Sequence, residues 1–323
     1  MLKRVFGSKI LKFCFSLVLI YFAFRKIDIV SLFRQLMGMK AWFLLLNILV
    51  SFFLVALISY RWALLLIKKP TLKDVMVFAK SSFAASFYGL FFPTAAAGDI
   101  LKWIIIDEKY PEVPKTKLLG SVILDRLIGL TMFVFTGTSM LVLARLNGMI
   151  MPWLIELIFG GLAVGCILFY VALVFFDLTK IWQIKWLNKF QPVSELFCRN
   201  NAGQIFRGAA VSLLSEVFWI FQMWFISWYF GADLSVISIF IYLPIISMIL
   251  ILPISFAGFG AREQLYLFFF VAVASSPESV LLTSTFSGVL GVFISLLGGL
   301  VTLTPDFKES VKNSDFLKKK QNS

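Results

Sequence analysis

Apolar residues run through most of this chain in stretches long enough to cross a bilayer, and the polar breaks between them set out its organisation. A spanning helix needs about 20 mostly apolar residues. Such stretches lie near residues 7–24, 41–67, 118–144, 153–176, 207–230, 236–254, 263–275 and 280–303. They predict an all-α integral membrane protein of about eight transmembrane helices in two halves, a transmembrane domain at 1–306 followed by a basic cytoplasmic tail at 307–323. Residues 74–106 are also apolar, but Pro93 and Gly98 interrupt them, which predicts a re-entrant helical hairpin rather than another crossing. The stretch at 263–275 is too short to cross alone, at about 1.5 Å per residue against about 30 Å of hydrocarbon, and must work with the broken segment before it.

The two interruptions share a pattern. Pro93, Gly98, Asp99 and Lys102 in one half are matched by Pro253, Gly258, Gly260, Arg262 and Glu263 in the other. Paired broken segments in the two halves of a membrane chain point to a transport site at membrane depth. Irregular backbone survives there only where it is buried in protein or lines a wet cavity, because lipid cannot satisfy its amides and carbonyls.

Composition supports the membrane class, with 60% hydrophobic residues and a mean hydropathy of +0.93. The longest polar insertion, 177–207, is too short for a separate soluble domain of about 50 residues or more. The net charge of +13 would suit nucleic acid, but membrane proteins gather Lys and Arg on the cytoplasmic face, so no nucleic-acid partner is expected. With a cytoplasmic N-terminus, the bases near it, Lys68, Lys69, Lys73, the 180–207 segment and the tail all fall inside; outer loops hold Arg145, Asp233 and Glu278. The linker with Arg25, Lys26, Arg34 and Lys40 breaks this rule. Ile29, Leu32, Phe33, Leu36 and Met37 recur in it at helical spacing, as in an amphipathic helix lying in the interface; an inverted topology is the alternative. Residues 11–24 lack a small-residue cleavage site and read as a retained first helix.

The chain has no histidine, and Cys14, Cys166 and Cys198 lie far apart. These facts remove the commonest general base and metal ligand and any disulfide framework, so no metal, cofactor or catalytic residue is expected. Gly258-Phe259-Gly260 lacks the strand and third glycine of a dinucleotide fingerprint. Gly288, Gly291, Gly298 and Gly299 in the last helix suit close helix packing, and Trp42, Trp62, Trp103, Trp153 and Trp228 suit interfacial anchoring.

A charge inside a span costs about 2.5–3.5 kcal/mol on insertion scales, so each needs a partner or a purpose. Four places qualify: Asp99 with Lys102, Asp125 with Arg126, Glu216, and Arg262 with Glu263. Asp99 and Lys102 share a helical face and can pair, whereas Asp125 and Arg126 diverge by about 100° and must look to other segments, such as Arg262 and Glu263. On the functional reading Lys102, Arg126 and Arg262 hold a lipid phosphate, helped by the amides after Gly98 and Gly260; Asp99, Glu216 and Glu263 bind a proton or a cationic headgroup. On the structural reading, acids and bases neutralise each other and tie helices together.

Three blocks carry a resemblance: residues 93–102; Leu124-Asp125-Arg126-Leu127-Ile128-Gly129-Leu130; and Pro253-Ile254-Ser255 through Gly258-Phe259-Gly260-Ala261-Arg262-Glu263. In order and spacing they resemble the lysylphosphatidylglycerol synthetase transmembrane family, a flippase-like family found alone or fused to transferase domains. The first block departs in having Ala97 where glycine is common and Lys102 where arginine is common. The resemblance implies movement of a polar lipid between leaflets of a bacterial cytoplasmic membrane: an anionic or aminoacylated phospholipid, or a polyprenyl-linked lipid. In fused members aminoacyl transfer belongs to a soluble domain, so a non-enzymatic role is expected here. An intramembrane transferase, or a non-transporting partner subunit of a lipid-modifying enzyme, are the alternatives.

Overall fold

The computed structural model describes residues 34, 36–91, 102, 106–107, 109–148, 152–175, 196, 201–251 and 258–304. Among these residues the fold is all-α: α1 Ala41–Leu66, α2 Leu72–Phe91, α3 Lys115–Leu146, α4 Trp153–Phe175, α5 Ala202–Tyr229, α6 Val236–Ile251, α7 Ala261–Phe270 and α8 Pro277–Thr302. Five of them, α1, α3, α4, α5 and α8, are long and apolar enough to cross a membrane. The expected helix at 7–24, the Pro93–Gly98 break, Pro253, Asp99 and the tail lie outside the described residues.

The start of α7 has a local cause. Directly before α7, Gly258 and Gly260 take φ of +80° and +79°, a left-handed conformation that side chains resist. The Gly260 N–H then donates to Glu263 Oε2 at 2.6 Å, satisfying one of the amides that a helix start leaves unpaired. At ten residues, α7 is indeed too short to cross by itself.

The described residues group into two compact units. One takes residues 53–89, 106–175, 201–216 and 295–304. Here α1 packs Trp62 and Ala63 with Phe78 of α2 and Leu118 and Val122 of α3, and packs Leu65 with Leu124 and Ile128 of α3 and Ile205 and Ala209 of α5. Trp62 is therefore core, 2% exposed with its indole N–H on Ser121 Oγ at 3.0 Å, and not the interfacial anchor its place near a segment end suggests. Consecutive helices α3 and α4 pack closely because Gly137 leaves the space that the Phe159 ring fills. Gly298 and Gly299 likewise meet Phe83 backbone and the Phe87 ring of α2, as small residues at a helix contact should.

The second unit takes residues up to 52, 90–91, 217–251 and 258–294. Phe43 stacks on Tyr229 with ring centroids 3.7 Å apart, and Phe225, Phe230 and Phe286 surround that pair. Gln222 Nε2 donates to Asn47 O at 3.0 Å and to Ser51 Oγ at 3.1 Å, tying α5 to α1.

Outside the spans, Thr71 and Asp74 cap α2 reciprocally. Thr71 N–H and hydroxyl donate to Asp74 Oδ2 at 2.8 and 2.7 Å, and Asp74 N–H donates to Thr71 Oγ1 at 3.3 Å. The Tyr110 hydroxyl donates to Asp74 Oδ1. That bond, with those from Thr71, holds the Asp74 carboxyl below the usual carboxylate range, while burial and Asp74 push the Tyr110 hydroxyl up. Because the folded Asp74 value is depressed, its contribution to stability is complete above the unfolded value and lost as pH falls through the folded one; Tyr110, raised, loses its share as pH climbs through its folded value. Thr71→Ala should cost about 1 kcal/mol at neutral pH, with the deficit shrinking in acid, read from unfolding midpoints in detergent.

Candidate functional site

The buried polar groups follow the helix period. On α5, Gln204, Gly208, Ser212 and Glu216 recur every four residues and form one stripe. On α3, Ser121, Asp125 and Gly129 do the same, and Thr136 continues their side two turns on. Facing them, α1 supplies Arg61, whose Nε donates to Asp125 Oδ1 at 2.7 Å, Nη2 to Asp125 Oδ2 at 3.0 Å and Nη1 to Ser212 Oγ at 2.8 Å. Arg61 is 7% exposed and Asp125 4%. Gly129 makes room for the guanidinium, since a Cβ there would lie 3.3 Å from Arg61 Nη1. One turn below, Gln204 Nε2 donates to Leu64 O at 3.1 Å, filling one of the carbonyls that the C-terminal turn of α1 leaves unpaired.

Asp125 thus does find its partner on another segment, but that partner is Arg61 rather than Arg262. Arg61 was missing from the four charged places inferred from sequence, although a lone base in the apolar run at 41–67 is a sufficient signal. Arg126 holds an exposed position, between Ile123 at 53% and Leu127 at 37% exposure. Lys102 sets its Nζ 5.7 Å from the centroid of the buried Trp62 ring and accepts the Ser81 hydroxyl on its carbonyl at 2.7 Å. Its expected partner Asp99 lies outside the described residues.

Glu216 is 4% exposed at the middle of α5. Its Oε1 is hydrogen bonded to Thr136 Oγ1, and its Oε2 is buried with no partner among the described residues.

In the other unit, the turn before α7 places Arg262 and Glu263 together. Arg262 donates its backbone N–H to Gly258 O at 2.9 Å, and its guanidinium carbon lies 5.9 Å from the Phe259 ring centroid. The guanidinium sits against two glycines: a Cβ on Gly258 would lie 3.1 Å from Nη2, and one on Gly288 would collide with Nη1. Gly288 therefore serves the Arg262 head, not a backbone-to-backbone approach as its place in the last helix suggests. Arg262 Nη1 and Glu263 Oε1 are buried and have no partner among the described residues. A planar donor fork beside unfilled buried hydrogen-bonding capacity suits an anionic group such as a phosphate.

Among the described residues no three His, Cys, Asp or Glu side chains gather as a metal site. Residues 9–298 match the family model described as lysylphosphatidylglycerol synthase TM region. The chain belongs to that family. No curated protein and no solved structure matches it. Membership and the five long apolar helices make this a multi-pass membrane protein with a role tied to membrane lipid.

Removing one partner of a buried ion pair leaves the other charge uncompensated, at about 3–5 kcal/mol, while replacing both with apolar residues is often neutral. Arg61→Leu or Asp125→Leu alone should sharply lower the unfolding midpoint in detergent. The double substitution should recover most of the loss.

Proposed function

We propose that this chain moves a polar lipid between membrane leaflets, in the cytoplasmic membrane of a bacterium. The observation that carries the reading is Arg262: a guanidinium mounted on the start of a broken helix, set between two glycines, with a buried N–H that no described protein group accepts. Buried donors are almost always paired in native structures, so an unmet one inside a membrane protein marks a place for a ligand acceptor. A lipid phosphate has the charge and geometry to fill it, and the acyl chains stay in the bilayer while the headgroup passes. Arg126, exposed on α3 between apolar side chains, offers a second phosphate contact. Anionic and aminoacylated phospholipids and polyprenyl-linked lipids all carry the required group.

The test is leaflet exchange of headgroup-labelled phospholipids in proteoliposomes. Wild type should exchange them, and Arg262→Ala should slow exchange about tenfold or more, the loss of one charged hydrogen bond of about 1.5 kcal/mol. Arg126→Ala should slow it too, with folding of both variants checked by unfolding midpoint. No exchange of any lipid class would instead support a non-transporting partner subunit, and lysine-labelled lipid formed from charged tRNA would support a transferase.

A further inference from the structure

We propose that Glu216 is a proton-binding site in the interior of the membrane, held by Thr136. Glu216 stands at the midpoint of α5, about 20 Å of helix from either end, and its side chain is sealed from solvent. The hydrogen inventory around it decides the assignment. Thr136 Oγ1 has one hydrogen but three oxygens within reach: Glu216 Oε1, Met132 O at 3.0 Å and Phe133 O at 3.2 Å. If Glu216 is ionised, that single hydrogen goes to Oε1, and Oε2 is a bare buried negative atom with no donor among the described residues. If Glu216 carries a proton on Oε1, the proton bridges to Thr136 Oγ1, and the threonine hydrogen turns to its own helix carbonyl, the usual bond of a helical threonine. Oε2 is then a neutral carbonyl oxygen, whose unmet bonding costs far less than a buried charge.

The neighbouring charges do not change the balance. One turn away on α5, Ser212 accepts from Arg61, and Arg61 on α1 is consumed by Asp125 on α3, so that pair is neutral as a unit. On α4, the titratable Tyr170 is hydrogen bonded to Thr131 and packs on Phe206, about ten residues before Glu216 on α5. No base among the described residues pairs with Glu216. A metal cation would need several oxygen ligands, and here the carboxylate and one hydroxyl are what the helices supply. The proton is the cation that fits.

The inference extends the translocase reading by supplying an ion that a lipid movement can be coupled to, yet its test does not depend on lipid movement. The test is infrared difference spectroscopy of the full-length protein in phosphatidylcholine vesicles at neutral pH, comparing wild type with Glu216→Gln and Thr136→Val. Wild type should show a protonated-carboxyl C=O band that is sensitive to deuterium exchange. Glu216→Gln should lose it, and Thr136→Val should keep it displaced, because the hydroxyl that receives the proton is gone. A wild-type spectrum without that band would overturn the proposal. So would a band unmoved by Thr136→Val, a result that stays decisive even where Glu216→Gln does not fold.

Discussion

Hydrocarbon offers no hydrogen-bonding partner, so a guanidinium inside a membrane span must spend its donors on protein, and the packing around Arg61 follows from that requirement. Three of its donors reach Asp125 and Ser212, on α3 and α5. A side-on fork onto a carboxylate tolerates little rotation, so the pair sets the rotation of α1 against α3, and the Ser212 bond sets α5 against both. At Gly129 a side chain would press on the guanidinium, its Cβ lying 3.3 Å from Nη1. Leu65, Leu124, Ile128, Ile205 and Ala209 then close an apolar core around the pair. The net stabilisation from such a pair is modest once its desolvation is counted, so its contribution is a unique arrangement of three helices rather than tight binding between them.

The same rule orders the rest of α5. A stripe at every fourth position keeps Gln204, Gly208, Ser212 and Glu216 on one side, so a single helix face delivers polar groups to both α1 and α3. Gln204 completes the end of α1, Ser212 completes the guanidinium, and Glu216 reaches Thr136, while at Gly208 an added Cβ would meet Arg61, Leu65 and Ile128 only at ordinary contact distance. The three polar positions are explained by neighbouring helices rather than by α5 itself.

The long helices were legible because length and apolarity alone define them, and the interruption before α7 was legible because Gly258 and Gly260 have few other uses beside a proline in an apolar run. What the sequence hid was pairing. Counted as formal charges, Asp99, Asp125, Glu216 and Glu263 outnumber Lys102, Arg126 and Arg262 by one, and Arg61, left out of that count, makes the sum zero. Balance in a sum is nevertheless not contact in space. Arg61 goes to Asp125 and leaves Glu216 with a hydroxyl, because i and i+4 spacing on α5 puts Ser212, not Glu216, level with the guanidinium. Trp62 misled for a related reason: its position near a segment end suits an anchor, while Ser121 on α3 gives its N–H a buried partner.

A division runs through the buried polar groups of each unit taken separately. Arg61 with Asp125, Gln204 with Leu64, and Gln222 with Asn47 and Ser51 close their donors on protein acceptors across helices. Arg262 Nη1, Glu263 Oε1 and Glu216 Oε2 have no partner among the described residues, and neither do Asn47 Oδ1, Ser284 Oγ and Thr285 Oγ1. Closed networks rigidify helices, and nothing further is needed to explain their retention. Open ones oppose folding in a medium without water, and substitution by an apolar residue of similar size would relieve them. On the reading proposed above, a lipid phosphate meets the open donor of Arg262 and a proton meets Glu216 at the centre of α5.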